Sequence, residues 1–422
     1  MKRKLFKQIC HEWRSNLWMT VELLIISVIV WFVTDYLYTI YQTVNEPKGY
    51  DIENAFIMEF GTYPQDSPKY VDLGEDAATR NGEDRLAIAD MIRNRPEVEV
   101  VSFSSAMEPG YRNYYGREAK VEGVDSLFFG IRYSEVTPDH IKSIGIKAKD
   151  PNVTQDDLVE ILRSGKVLVS DFPSDHPRLS RKATPESLIG KTVTIGEKSY
   201  EVGGIIRYWK RIDIEGYLRD IPLVAPLNEN DPSTPNSAEK VSIRVKPEAF
   251  KNFIRDFNKD SEKLYVRNNT YVKSIKSYAA VYESSTHDMN VTKRKYVGCM
   301  AFMLVCVFLG LLGTFWLRTR QRVPEIAVRK INGASNFTIA ARLITEGLIL
   351  LTIATPLAAV CDWLICHYEL NANIRDEFLV PSRLAITIII TYAILAVTII
   401  LGIAFPAWKA VCVQPAEALK DE

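Results

Sequence analysis

Apolar residues in this chain are gathered into four blocks, and one long stretch of mixed character separates the first block from the others. Val297 to Trp316 and Leu384 to Trp408 contain no charged residue, and each is long enough for the roughly 20 residues a helix needs to cross a hydrocarbon core. Trp18 to Tyr38 is equally apolar except for Glu22 and Asp35 near its two ends, and Gly347 to Cys366 holds only Asp362. This pattern predicts an integral membrane α-helical protein with four transmembrane helices, over residues 17–40, 296–317, 344–366 and 384–408.

Residues 41–295 change character. Short alternating runs and short helical periods mix without repeat or low-complexity tract, which predicts a folded α+β domain inserted between helices 1 and 2. Helices are expected at Asp84 to Asn94, at Asp156 to Arg163 behind the cap Thr154, and after Pro247, where Phe250, Phe253, Ile254 and Phe257 share a face. Strands are expected at Ala55 to Phe60, Val98 to Phe103, Lys166 to Ser170, Lys191 to Ile195, Tyr200 to Arg207, Lys240 to Val245 and Tyr271 to Tyr278.

Charge orients the chain. Arg318, Arg320, Arg322, Arg329, Lys330 and Arg342 crowd residues 318–343, whereas Glu369, Asp376 and Glu377 outnumber Arg375 and Arg383 in the short outer loop 367–383. The positive-inside rule then places both termini in the cytoplasm, the tail 409–422 included, and the large domain outside. Lys293, Arg294 and Lys295 run against this, at the end of a long translocated domain where the rule is weak. At the N-terminus, Leu5, Ile9, Trp13 and Leu17 recur every four residues beside Lys4, Lys7 and Arg14. Residues 1–16 therefore read as an amphipathic helix on membrane lipid, or alternatively as a solvated one. The apolar block that follows outruns a signal-peptide core and has no small-x-small cleavage site, so it reads as a retained anchor. Lys and Arg together number 52, as do Asp and Glu, and a net charge of zero gives no reason to expect nucleic acid. All six cysteines (Cys10, Cys299, Cys306, Cys361, Cys366, Cys412) lie in or beside the membrane segments. The outer domain must hold together by its core alone.

The segment Arg322 to Ser335, RVPEIAVRKINGAS, is a short charged helix between two apolar blocks. Pro324 suits the first turn, Glu325 the positive end of the helix dipole, and Arg329 with Lys330 the negative end before Gly333. Ser335 reads as the N-cap of the next helix. Two readings fit: a helix gripped by another protein, or an ordinary loop held by its positive charge. Glu22, Asp35 and Asp362 are suspects because ionisable groups at membrane depth are costly. They either snorkel to the interface or, for Asp35 and Asp362, pair with a basic group such as Arg375 or Lys295. Catalytic chemistry is hard to find. Gly190, Lys191 and Thr192 lack the glycine and the helix of a phosphate-binding loop, and His11, His140, His176, His287 and His367 have no metalloprotease spacing. Asp171, Asp175 and His176 read as a polar turn and not as a metal site.

One span, a large outer domain, three more spans and a basic loop between spans two and three resemble the MacB/FtsX-type permeases of ABC transport systems. The most specific residues are Arg322, Glu325, Ile326, Arg329, Gly333, Ala334 and Ser335 with Glu346 in the next helix, then Pro415, Glu417, Ala418 and Leu419 near the end. Val121 to Val124 and Leu188 to Ile206 are similar to outer-domain motifs of the family. The resemblance implies a non-catalytic subunit with no cofactor of its own, ATP being bound by a separate cytoplasmic nucleotide-binding subunit. That subunit would contact Arg322, Pro324, Glu325, Ile326, Ala327, Arg329, Lys330, Gly333, Ala334 and Ser335. It further implies a second permease copy, identical or related, location in the inner membrane, and mechanical transmission of motion to the periplasm. Export, with or without a periplasmic adaptor and outer-membrane channel, is the favoured role, because an outer domain of about 255 residues is closer to the MacB type than to the FtsX type. LolC-like lipoprotein release and FtsX-like control of wall hydrolases are the alternatives within the family. A sensor or scaffold without ATP-driven work is the alternative outside it, and a membrane hydrolase the weakest.

Overall fold

The computed structural model describes residues 13–106, 108–111, 115–122, 124–174, 183–212, 221–238, 240–321, 323–371 and 378–412. The amphipathic reading of residues 1–16 and the Pro415–Leu419 tail therefore fall largely or wholly outside the described residues, as do Gly123, Asp175, His176, Arg322, Arg375, Asp376 and Glu377.

The chain forms two compact units, Thr43–Asp288 and the pair of segments Met1–Gln42 and Met289–Glu422. In chain order the first half holds α1 (Trp13–Asn45), β1 (Ala55–Thr62), α2 (Ala77–Arg93), β2 (Val98–Ser104), β3 (Tyr115–Val121), β4 (Val124–Val136), α3 (His140–Ser143), α4 (Gln155–Arg163), β5 (Val167–Ser170), β6 (Thr192–Ile195) and β7 (Lys198–Ile206). Then follow β8 (Pro222–Pro226), α5 (Thr234–Ser237), β9 (Lys240–Val245), α6 (Phe250–Leu264), β10 (Val266–Arg267), β11 (Thr270–Ser277), α7 (Tyr278–Gln321), α8 (Val323–Ile331), α9 (Asn336–His367) and α10 (Pro381–Cys412).

The Thr43–Asp288 unit is built on an 11-stranded sheet in the order β10-β11-β1-β9-β2-β4-β3-β6-β7-β5-β8. A further parallel pairing of β4 with β8 closes the β4-β3-β6-β7-β5-β8 part on itself. Alternate residues from these strands, including Ala119, Ile131, Val169, Val193, Val202 and Leu223, share one buried cluster. That is the inward set of a closed barrel, because side chains on a strand alternate between faces. Over β1, β2 and β9, the apolar face of α2 (Ile88, Ala89, Ile92) and Phe253 and Phe257 of α6 fill a second core. A third core joins α4 to Ile141, Trp209, Tyr278 and Tyr282. Full burial of each such large side chain contributes roughly 1.5–3 kcal/mol, and no disulfide is involved, as the absence of cysteine in this region required.

All seven expected strands form. The additional strands β3, β4 and β8 supply three of the six barrel strands. β8, PLVAP, carries a proline at each end, a feature that argues against a strand unless the prolines sit at its limits, as they do here. α2 begins at Ala77, seven residues before the expected start, because its first two turns are polar and show no apolar stripe. Pro247 lies in the turn ahead of α6, not in its first helical turn.

In the other unit, Met19, Leu23 and Val30 of α1, Val307 of α7, Leu350 and Ala354 of α9, and Leu395 and Ile399 of α10 form one apolar core. Among the described residues three helices are long and apolar enough to cross a membrane: Leu17–Asn45, Asn336–His367 and Pro381–Ala404. The expected second span, Val297 to Trp316, lies inside the single 44-residue helix α7.

Candidate functional site

The charged segment folds as a helix, α8, running from Val323 to Ile331, so it starts two residues earlier than the expected Glu325 and ends one before Asn332. Its C-terminus is closed by local hydrogen bonds. Gly333 N–H donates to Lys330 O at 2.9 Å and Ala334 N–H to Arg329 O at 3.0 Å, the paired pattern of a Schellman cap, with Gly333 at φ 84° in the left-handed region. A Cβ on Gly333 would meet nothing within 4 Å; glycine is required there by backbone conformation and not by space. Ser335 then caps α9, its hydroxyl accepting from Thr338 N–H at 3.2 Å.

Arg329 and Lys330 occupy the last turn of α8, where their charge complements the dipole. The side chains of Pro324, Glu325 and Ala327 lie outside the described set, as does Arg322, so the Glu325–Arg329 pair is not part of the geometry. Ile326 is buried against Ile339 and Ala334, which pins α8 onto the first turn of α9. Three apolar side chains that sequence reading did not single out point the other way: Val328 is 50%, Ile331 63% and Phe337 83% exposed. Their signal was present, as apolar residues left over once Ile326 and Ile339 are assigned inward. Glu346, ten residues on in α9, is buried.

The membrane-depth carboxylates have different fates. Asp35, on α1, is buried and takes two hydrogen bonds from the guanidinium of Arg383 on α10, one from Nε at 2.7 Å and one from Nη2. Asn371 Nδ2 adds a third contact at 3.3 Å. Of the two expected partners, Arg375 lies outside the described residues, and among the described residues Arg383, not Lys295, binds Asp35. Arg383 was read only as a loop charge because its distance in sequence from Asp35, 348 residues, gives no local signal. Asp362 is buried, and its Oδ1 has no hydrogen-bond partner. Glu22 is half-buried beside Gly310 of α7, whose Cβ would lie 3.2 Å from Glu22 Oε1. Burial inside protein, not snorkelling, thus describes Asp35 and Asp362.

The C-terminal end of α1 is also fixed. Its Thr43 carbonyl accepts from Nζ of Lys210, a fully buried lysine that lies 3.5 Å from Glu46. A lysine on the last carbonyls is a recurrent C-terminal cap. Among the described residues no group of three or more His, Cys, Asp or Glu is placed to hold a metal; Asp171 instead pairs with Lys149 at 2.8 Å.

Residues 297–415 match the family model of the FtsX-like permease C-terminal domain. Comparison with curated proteins returned no match. Among solved structures, the periplasmic region of MacB from Actinobacillus actinomycetemcomitans aligns at 10% identity and TM-score 0.33, covering 58% of this chain and 97% of that one. The extracellular domain of the noncanonic ABC-type transporter YknZ from Gram-positive bacteria aligns at 15% identity and TM-score 0.29, covering 52% and 100%. Both likenesses are too slight to bear on the fold. The matched segment holds α8, its cap, the staple on α9 and the buried Glu346. Over these residues the chain is similar to the C-terminal domain of FtsX-like permeases.

Proposed function

We propose that the chain spans the membrane four times with both termini in the cytoplasm, pairs with a second permease copy, and converts ATP-driven closure of a separate nucleotide-binding subunit into motion of the extracytoplasmic domain. The observation that carries this reading is α8 itself: a short helix capped at its C-terminus by Gly333, stapled by Ile326 to α9, with Val328, Ile331 and Phe337 exposed beside it. A helix held at both ends transmits a push, whereas a flexible loop absorbs it. The transmitting elements are α1 and the 44-residue α7, with Thr43 fixed by Lys210. Export of a drug, peptide or other periplasmic substrate, with an adaptor and outer-membrane channel as optional partners, is the favoured role.

The test reconstitutes the permease with its ATPase. Glu325→Lys and Gly333→Leu are expected to leave the protein in the membrane while removing stimulation of ATP hydrolysis. Gly333→Leu acts by placing a side chain at positive φ, a cost of about 1–2 kcal/mol. Unchanged stimulation in both variants overturns the reading. Co-purification from native membranes separates the roles: an adaptor supports efflux, a wall hydrolase or a lipoprotein carrier replaces it, and no ATPase at all indicates a sensor or scaffold.

A further inference from the structure

At the first residue of α7 lies a closed set of polar side chains that nothing in the transport reading uses. Glu108, 1% exposed, sits in the loop between β2 and β3. Its Oε2 accepts from the hydroxyl of Tyr278, the residue that opens α7, and Tyr278 also lies 2.6 Å from Ser242 Oγ of β9. Its Oε1 accepts from Ser104 of β2 and stands 3.6 Å from Nε2 of His140 on α3. His140 is fully buried, its Nδ1 lies 3.0 Å from Ser102 Oγ, and its Nε2 has no hydrogen-bond partner among the described residues. Among the described residues, the remaining ionisable groups facing Glu108 are Tyr111 of the same loop and Lys240 of β9, and Lys240 is already held by Glu59 of β1 and lies 4.5 Å over the Tyr111 ring.

We propose that Glu108 is a proton-binding site: in the resting protein it holds one proton toward His140 Nε2, and this proton keeps the first turn of α7 locked to the sheet. With the proton in place the Glu108–His140 pair is neutral and each polar atom in the set has a neighbour. Without it a lone carboxylate remains in a site closed to water, which is costly. Burial pushes the Glu108 carboxyl up to about 8 and the His140 imidazole down to about 3, so the proton rests on the carboxyl and not on the ring.

The anion is relieved only by letting water in, and the walls differ in how they are held. β2 and β9 are interior strands, paired on both sides. The loop carrying Glu108 and the first turn of α7 are not in the sheet, and they touch closely: a Cβ on Gly110 would come within 3.0 Å of Val281 Cγ1 and of Tyr282 N. These two walls are the ones that part. Protonation thus sets how firmly α7 is seated at its outer end. The effect on transport rests on the transmitting role proposed for α7; the proton site does not.

The experiment uses the full chain in lipid nanodiscs. Infrared difference spectra between pH 6 and pH 9 should show the carbonyl band of a protonated carboxyl that titrates near pH 8 and is absent in Glu108→Gln. Hydrogen exchange over residues 278–288, corrected for intrinsic rate, should show protection lost through the same range in the native protein and retained at pH 9 in Glu108→Gln, whose amide keeps a donor without a charge. Tyr278→Phe, which spares the acid, should keep the infrared band and weaken protection at every pH. A missing band, or native and Glu108→Gln proteins with the same exchange profile, overturns the proposal. If band and exchange behave as expected but the pH profile of stimulated ATP hydrolysis is the same in both proteins, the proton site stands and the transmitting role of α7 falls.

Discussion

Two carboxylates, each 1% exposed, meet opposite kinds of partner in the two units of this protein. Asp35, on α1, receives a guanidinium through two hydrogen bonds from Arg383. Glu108, in the Thr43–Asp288 unit, accepts from hydroxyls among the described residues, with the neutral imidazole of His140 3.6 Å away, and burial drives it up to about 8. Depth is the same in both; the difference is a cation. A bidentate partner supplies the charge that burial removes, whereas a set of neutral donors cannot, and the acid keeps its proton. Finding a buried carboxylate therefore says little about its charge until its partner is known.

The largest expected effect breaks the first half of that comparison. Arg383→Gln leaves Asp35 buried without compensation and should cost about 3–5 kcal/mol, seen as a sharp fall in folded yield and thermal stability in detergent. Asp35→Asn with Arg383→Gln should recover much of it, and a single Arg383→Gln variant as stable as the native protein would show that the pair holds nothing together.

The second half is tested by pH. Glu108 binds its proton more tightly folded (about 8) than unfolded (4.5), so the stability it contributes falls as pH rises between those values. His140, about 3 folded against 6.5 unfolded, contributes the opposite slope between about pH 3 and 6.5. The two offset from roughly pH 4.5 to 6.5, leaving a net loss from about 6.5 to 8 and another below 4.5. Global exchange protection of the Thr43–Asp288 unit, followed from pH 6 to 9, should decline in the native protein and less so in Glu108→Gln; a flat native profile contradicts the assignment.

Smaller effects come from α8, where the contact surface proposed for the ATPase is exposed and apolar. Phe337→Ala is expected to weaken binding of the ATPase by about 1–2 kcal/mol, roughly tenfold, while stability shifts by no more than about 0.5 kcal/mol. Titration of the purified ATPase onto nanodiscs measures the first and thermal melting the second; equal loss in both would make Phe337 a packing residue. Ser335→Ala should have the least reach, about 1 kcal/mol of local stability in the first turn of α9, read as faster exchange at residues 336–339 and no change elsewhere.

How much of this was legible depended on sequence distance. α8 and its caps follow from neighbours: a proline, a glycine at a left-handed position, and a serine with its acceptor three residues from the donor it serves. The apolar blocks that became α1, α9 and α10 were equally plain, as was Ile326 among the residues of α8. Strands β1 and β9 announced themselves by alternation. β8 did not, since its prolines speak against a strand until β4 and β5 are seen on either side of it.

The sequence by itself determined which segments are apolar enough for a membrane, where a short capped helix stands between them, and that no disulfide braces the outer domain, because each of these is set by composition or by contacts within a few residues. The tertiary structure alone decided that Asp35 meets Arg383, that Lys210 holds Thr43, that six strands close into a barrel, and that Glu108, His140 and Tyr278 share one dry site. Those pairings join residues tens to hundreds of positions apart, and no local propensity encodes them; they exist only once packing has removed the water that would otherwise keep the groups apart.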